Sequence, residues 1–300
     1  MFKKENQKYN IISYTNDKEM ILKDLLLDKL NFSVRSLSKM KREETILVNG
    51  EFKKLNTIIK KGDLIEIKID EEMANFEAQN LNLDIIYDDF DIIMVNKPPF
   101  MVVHPTKSHY NNTIANGITD YIIKKGEKVR VRFVNRLDMN TSGLAIVAKN
   151  AYAHHTLSND MSNNKFEKTY ITVVKGIVKD DKGTINKPIY RPTEDSIKRI
   201  VDDKGQESIT HYKVIERLKD ATVLEIKLET GRTHQIRVHM NYLGHGIIGD
   251  ELYGYVNEEL INRQALHAYK LEFEQPRTKE ILRFEAELPN DIKNLIEKLR

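Results

Sequence analysis

The run Asn135-Arg136-Leu137-Asp138-Met139-Asn140-Thr141-Ser142-Gly143 lies between the extended stretch VRVRFV and the apolar stretch GLAIVAK. A polar loop at a strand end exposes side chains on a rigid support. Its one carboxylate, Asp138, can serve as a covalent nucleophile, because held proximity offsets a carboxylate's weak nucleophilicity. By residue type alone Asp138 reads first as a turn or capping group, since Asp, Asn, Thr, Ser and Gly are ordinary turn formers. The stretch GRTHQIRVHM carries Arg232, His234, Arg237 and His239. Its spacing is also that of an alternating strand with Arg237 at the surface. Tyr170, in Lys168-Thr169-Tyr170, reads by itself as a buried strand tyrosine.

Other chemistries are excluded by what the chain lacks. It has no cysteine, so disulfides, cysteine-ligated zinc, iron–sulfur clusters and a thiol nucleophile are ruled out. The nine histidines form no HExxH or other compact ligand set, and no metal is expected. Gly244-His245-Gly246-Ile247-Ile248-Gly249 fits the dinucleotide-binding pattern by letter. A true fingerprint follows a strand, opens a helix and has an acidic residue about 20 positions on, whereas Asp250-Glu251 and a further glycine follow here at once. No phosphate-binding loop or nucleophile elbow occurs, and no cofactor is expected.

The elements that must position these residues divide into two groups. Three hundred residues suit two ordinary domains. Residues 19–30, EMILKDLLLDKL, place Ile21, Leu22, Leu25, Leu26 and Leu30 on one helical face, and a second short helix is expected from Ser33. TILVNGEFKK reads as strand, Asn-Gly turn and strand, and LIEIKID as a further strand. The net charge of +3, from 48 basic and 45 acidic residues, diagnoses no nucleic-acid partner. Locally, however, residues 31–61 hold eight basic groups against three acidic ones, a pattern that also suits a plain solvated surface. A polar linker is expected over 75–82. Beyond it the element order is mixed α+β: strands in IIYDDFDIIMVNK around a Tyr-Asp-Asp turn, a helix in TIANGITDYIIKK, a strand in GLAIVAK and a helix in AYAHHTLSNDMSNN. Strands in TYITVVKGIV and TVLEIKLET follow, then a closing helix in DIKNLIEKLR. The first residues lack the apolar core of a signal peptide, and no run reaches the ~18 apolar residues of a membrane span. A cytoplasmic protein is expected.

NRLDMNTSGLAIVAKN resembles the catalytic stretch of the RluA-type pseudouridine synthases, usually written His-Arg-Leu-Asp-Arg-Asp-Thr-Ser-Gly. Asn96-Lys97-Pro98 with Val103-His104-Pro105, the Lys168-Thr169-Tyr170 strand, GRTHQIRVHM with GHGIIGDELYG, and LHAYKLEF match further segments in the family's order over about residues 80–275. Asn135 stands for the usual His, Met139-Asn140 for Arg-Asp, and Gly246 for the Pro of GHPI. These departures bear on RNA contacts and substrate choice rather than on chemistry. Residues 1–74 are similar to the small RNA-binding domain named after a ribosomal small-subunit protein, the S-four-like domain.

The resemblance implies a catalytic domain over 83–300 with a mixed, mainly antiparallel central sheet flanked by helices and loops, and a small N-terminal α/β RNA-binding domain. It implies isomerisation of uridine to pseudouridine in RNA, with Asp138 as nucleophile by an acylal, Michael-adduct or glycal route. Arg237 becomes its basic partner and Tyr170 the ring that stacks on the base. Arg136 is expected to fill the space left by the flipped nucleotide, and Lys97, Arg232, His234 and His239 to line the RNA groove. Arg35, Lys39, Arg42, Lys53 and Lys54 are expected to meet RNA phosphates. The expected partner is RNA, with large-subunit ribosomal RNA favoured and transfer RNA as the alternative, and the chain is expected to be monomeric. Two rivals remain: a non-catalytic RNA-binding assembly protein, and a glycosidase, which would ordinarily need two carboxylates.

Overall fold

The computed structural model describes residues 1–69, 74–106 and 109–300. The expected boundary between residues 74 and 75 adjoins residues 70–73, which lie outside the described residues. Near the N-terminus an antiparallel four-stranded sheet runs in the order Ile11–Thr15, Leu64–Lys68, Ile46–Val48, Glu51–Phe52. Asn49 and Gly50 join the last two of these in space, both at positive φ, as a two-residue hairpin requires. The helical turn expected over 19–30 begins at Leu22 and becomes π-helical over Leu25–Lys29. It buries Leu22, Leu25, Leu26 and Leu30 against Ile12, Ile46 and Ile65. Ile21, expected on that face, is 41% exposed. It belongs instead to the short strand Met20–Ile21, which pairs with Ile58–Ile59. Helix Val34–Arg42 starts at Ser33, whose Oγ accepts the Ser36 N–H at 3.1 Å, and carries Lys39, Lys41 and Arg42 in its last turn, where cations complement the helix dipole.

The second, larger sheet has ten strands among the described residues. Its main path runs Lys182–Asn186, Ile209–Arg217, Ala221–Leu228, Glu167–Lys175, Leu266–Glu274, Ser142–Ala148, Ile92–Lys97, Asp84–Asp88, with Ile281–Glu285 beside Leu266–Glu274 and Arg132–Phe133 beside Ser142–Ala148. The mixed, mainly antiparallel character expected for this sheet is present. The turn in IIYDDFDIIMVNK falls two residues later than expected, at Asp89-Phe90-Asp91, because Asp89 Oδ1 accepts the N–H groups of Asp91 and Ile92 at 2.7 and 2.8 Å. Helices Ile114–Lys124 and Ala151–Ser162 pack on this part of the sheet, while Gln235–Tyr242 and Asn290–Leu299 pack against the Glu167–Lys175 part.

One pairing in this sheet is parallel: Ser142 and Gly143 lie beside His267 and Ala268. Gly143 has φ of 110°, and a Cβ there would sit 2.2 Å from the Ala268 carbonyl oxygen. Only glycine permits so close an approach, which gives the Thr-Ser-Gly ending of the aspartate loop a physical reason. The two sheets are fastened together by Arg277. Fully buried, it faces Asp91 at 2.8 Å and donates to Gln7 Oε1, the Lys8 carbonyl and the Ile11 carbonyl at 3.1, 3.0 and 2.8 Å. Tyr152, in helix Ala151–Ser162, meets the ring of Phe32 at 4.8 Å.

Candidate active site

The aspartate loop is held from several sides. Asn135 donates to the Leu144 carbonyl at 3.0 Å and accepts the Ile146 N–H at 2.8 Å, so the residue in place of the family's usual His ties the loop to its own strand. The Thr141 N–H donates to the Asp138 carbonyl at 3.0 Å and closes a tight turn. Beneath it, Lys97 donates to the carbonyls of Pro98, Met101 and Met139, each at 2.8 Å. Arg263 donates to the Asn140 carbonyl at 3.0 Å while Asp291, in the last helix, holds its other nitrogens at 2.6 and 2.9 Å. Ser142 Oγ meets His267 Nδ1 at 2.9 Å, and His267 Nε2 meets the Ala286 carbonyl at 3.0 Å. These contacts fix the backbone under a half-buried carboxylate.

Arg237 faces that carboxylate from a helix rather than from the alternating strand its spacing suggested. His234, at φ of 58°, turns the chain into helix Gln235–Tyr242. Arg237 donates through Nη1 to Asp138 Oδ2 at 2.8 Å, and through Nε and Nη2 to both oxygens of Asp250 at 2.7 and 2.8 Å. Asp250 is fully buried and also accepts the N–H groups of Leu252 and Tyr253. Burial works to lower the pKa of Arg237, but the bonds to Asp250 and Asp138 outweigh it and leave the guanidinium more strongly protonated than usual. Tyr253 lies under this guanidinium at 5.1 Å, and its hydroxyl meets His234 Nδ1 at 2.9 Å.

A cleft of about 730 Å³ opens over the loop, lined among others by Arg136, Asp138, Tyr170, Arg232, His234 and Arg237. This is the size of a small-ligand site. Tyr170 is half-buried, and burial together with the Asp138 charge pushes its phenol up to about 12, so the ring is neutral near pH 7. Burial draws His234 below the ordinary imidazole value against the pull of Asp138, whose Oδ2 is 3.8 Å from Nε2. Arg136 and Arg232 are exposed at the cleft.

Two residues expected in the groove are elsewhere. Lys97 is fully buried and its three N–H groups are all occupied by carbonyls, so it supports the loop instead of meeting RNA. His239 is also fully buried, between Thr210 Oγ1 at 2.8 Å and the Lys187 carbonyl at 3.0 Å, because it falls on the inner face of its helix. Around the N-terminal four-stranded sheet, Arg35, Lys39, Arg42 and Lys54 are exposed and Lys53 is half-buried beside Glu51 at 2.8 Å. Lys39 and Arg42 share Glu43. Asp250 and Arg263, which build the site from below, had no distinguishing spacing in the sequence. The Gly244–Gly249 stretch follows a helix and opens none, as the rejection of a dinucleotide site requires.

Residues 91–242 match the family model described as RNA pseudouridylate synthase. The chain belongs to this family. It is 42% identical over 287 residues to the uncharacterized RNA pseudouridine synthase YlyB of Bacillus subtilis, covering 94% of each chain. It is 38% identical over 285 residues to the ribosomal large subunit pseudouridine synthase D of Vibrio cholerae, covering 90% of this chain and 88% of that one. Among solved structures, human RNA pseudouridylate synthase domain containing 1 superimposes with a TM-score of 0.57 at 26% identity, over 70% of this chain and 85% of that one. The protein is thus an RNA pseudouridine synthase, an isomerase. Among the described residues, no helix of the synthase is long and apolar enough to cross a membrane.

Proposed function

We propose that the synthase isomerises uridines of large-subunit ribosomal RNA in the cytoplasm, with Asp138 as nucleophile. The observation that carries the nucleophile assignment is the asymmetry of the carboxylate. Oδ2 is held by Arg237 at 2.8 Å, whereas among the described residues nothing bonds to Oδ1, and Asp138 lines the cleft. One oxygen is anchored and the other is free to attack. In the overall reaction the bond from ribose C1′ to N1 breaks, a bond from C1′ to C5 forms, the C5 hydrogen leaves as a proton and N1 gains one. Atoms and electrons balance without a redox partner. Tyr170 offers a neutral ring for the base to stack on, and Arg136 stands at the rim to occupy the place of the extruded nucleotide. The N-terminal sheet domain, with Arg35, Lys39, Arg42, Lys53 and Lys54, serves as an anchor for RNA phosphates. The ribosomal assignment is supported by the Vibrio cholerae relative.

The test is a single-nucleotide pseudouridine map of total RNA from cells with the gene, without it, and complemented with the wild-type chain or Asp138→Asn. Sites in large-subunit RNA should vanish without the gene and return only with the wild-type chain. Full restoration by Asp138→Asn would remove Asp138 as nucleophile, and loss confined to transfer RNA would overturn the ribosomal assignment.

A further inference from the structure

Six lysine and arginine side chains are buried among the described residues, and five of them are neutralised or fully hydrogen-bonded. Lys97 meets three carbonyls, Lys149 meets Asp88 and Glu127, Arg237 meets Asp138 and Asp250, Arg263 meets Asp291, and Arg277 meets Asp91. The sixth is Lys168. It is 7% exposed, and among the described residues no carboxylate or hydrogen-bond acceptor meets its ammonium. It is not turned into the apolar core, for it lines the same cleft as Asp138 and Tyr170. Burial lowers its pKa with no counter-charge opposing the effect. A buried cation without a counter-charge is costly to the folded protein. Such a cost is tolerated where a ligand brings the missing anion.

We infer that Lys168 binds a phosphodiester of the RNA backbone beside the nucleotide whose base lies on Tyr170. The inference rests on Tyr170 being the platform for that base. Among the described residues Asp138 pairs with Arg237 and His234 and not with Lys168, so the ammonium is not part of the ion-pair cluster around the reacting carboxylate. Two residues along a strand separate Lys168 from Tyr170 by roughly 7 Å, a span comparable to that from a stacked base to its own backbone. Within the cleft Arg136 and Arg232 are exposed cations, so their charges are screened by water. Lys168, 7% exposed in all, is the less hydrated of these unpaired cations, and a less hydrated charge contributes more to a phosphate contact.

The experiment uses the full-length chain and total RNA from cells lacking the gene, labelled with [5-³H]uridine. Pseudouridine formation releases the label to solvent, so no target site need be known beforehand. Lys168→Met, Lys168→Gln and Lys168→Arg are compared with the wild-type chain and with Asp138→Asn. The Met and Gln variants should raise KM about tenfold with kcat within about twofold, the scale of one charge-assisted hydrogen bond to phosphate. Their log–log salt slope for RNA binding should become shallower by about 0.7–0.9. Both should melt at or above the wild-type temperature, because an uncompensated buried charge has been removed, and Lys168→Arg should restore KM.

An unchanged KM with active wild-type enzyme would overturn the inference. So would a fall in kcat alone, which would put the ammonium at the base, or a lowered melting temperature that Lys168→Arg repairs without changing KM. Absence of tritium release by the wild-type chain would instead strike at the RNA substrate, and full activity of Asp138→Asn at the nucleophile assignment.

Discussion

Replacing Asp250 with Asn separates an organising role for Arg237 from mere proximity to Asp138. The wild-type guanidinium spends two donor directions on Asp250, at 2.7 and 2.8 Å, and offers the third to Asp138. Asn keeps the volume of Asp250 but removes its charge and turns one acceptor into a donor. With its oxygen at the Oδ1 position it keeps the bonds from Leu252 N–H, Tyr253 N–H and Arg237 Nη2, but its amide N–H then faces Arg237 Nε and that bond is lost. Breaking a buried ion pair costs about 3–5 kcal/mol. Because Arg237 retains Asp138 and the Tyr253 ring, the lower end, about 3 kcal/mol, is expected here. With its anchor weakened, the guanidinium shifts relative to Asp138, and a displacement on the order of 1 Å lowers kcat roughly 100-fold. Asp250 is fully buried and outside the cleft lining, so KM should hardly change. Urea unfolding reads the first effect and tritium release from labelled RNA the second. A variant within about 0.5 kcal/mol of wild-type stability and with undiminished kcat would refute the clamp.

Other expectations concern stability and RNA binding. Gly143→Ala should lose about 3 kcal/mol or more from backbone strain and overlap with the Ala268 carbonyl, and an unaltered urea midpoint would contradict the close-approach argument. His239 and His267 are both buried, and burial holds each below the ordinary imidazole value. Below about pH 6.5 the unfolded chain binds protons that the folded histidines refuse. Stability should therefore fall as pH drops from 7 toward 5, by up to about 1.4 kcal/mol per unit for each group; a flat or rising melting temperature over that range would contradict it. Arg35→Ala with Lys53→Ala and Lys54→Ala should weaken RNA binding and make its salt slope shallower by about 2, whereas an unaltered slope would remove the N-terminal sheet domain as an RNA anchor. Point variants are preferred to deleting residues 1–74, which would leave Arg277 without Gln7, Lys8 and Ile11.

Legibility in the sequence depends on how local each signal is. The Asn-Gly hairpin, the Ser33 cap and the strand after Gly143 are set by short patterns, and the structure has all three. The helix containing Arg237 was hidden because Ile236, Val238 and Met240 alternate with polar residues, the period of a strand. The residues between them are buried too, so hydrophobic alternation marked no exposed face. The ordered motifs brought Asp138, Tyr170 and Arg237 to notice, but residue type could not distinguish an open groove from a filled one. Lys97 and His239 were therefore expected at RNA and instead support backbone. Asp250 was illegible for the opposite reason: its importance comes from Arg237 folding back on a turn 13 residues later. Nothing local in a Gly-Asp-Glu sequence foretells that contact.

The support of the Asn140 carbonyl by Arg263, itself held by Asp291, has a consequence for biosynthesis. The aspartate loop is made well before its foundations, because Arg263 and Asp291 follow it by more than a hundred residues in the chain. At about 5–20 residues per second, the nascent chain carries Asp138 for on the order of ten seconds before that scaffold can close. Arg237 and Asp250 also arrive in this interval. An enzyme that acts on RNA is born beside a large body of RNA, and this order of assembly defers the closing of its site until Asp291 has been made.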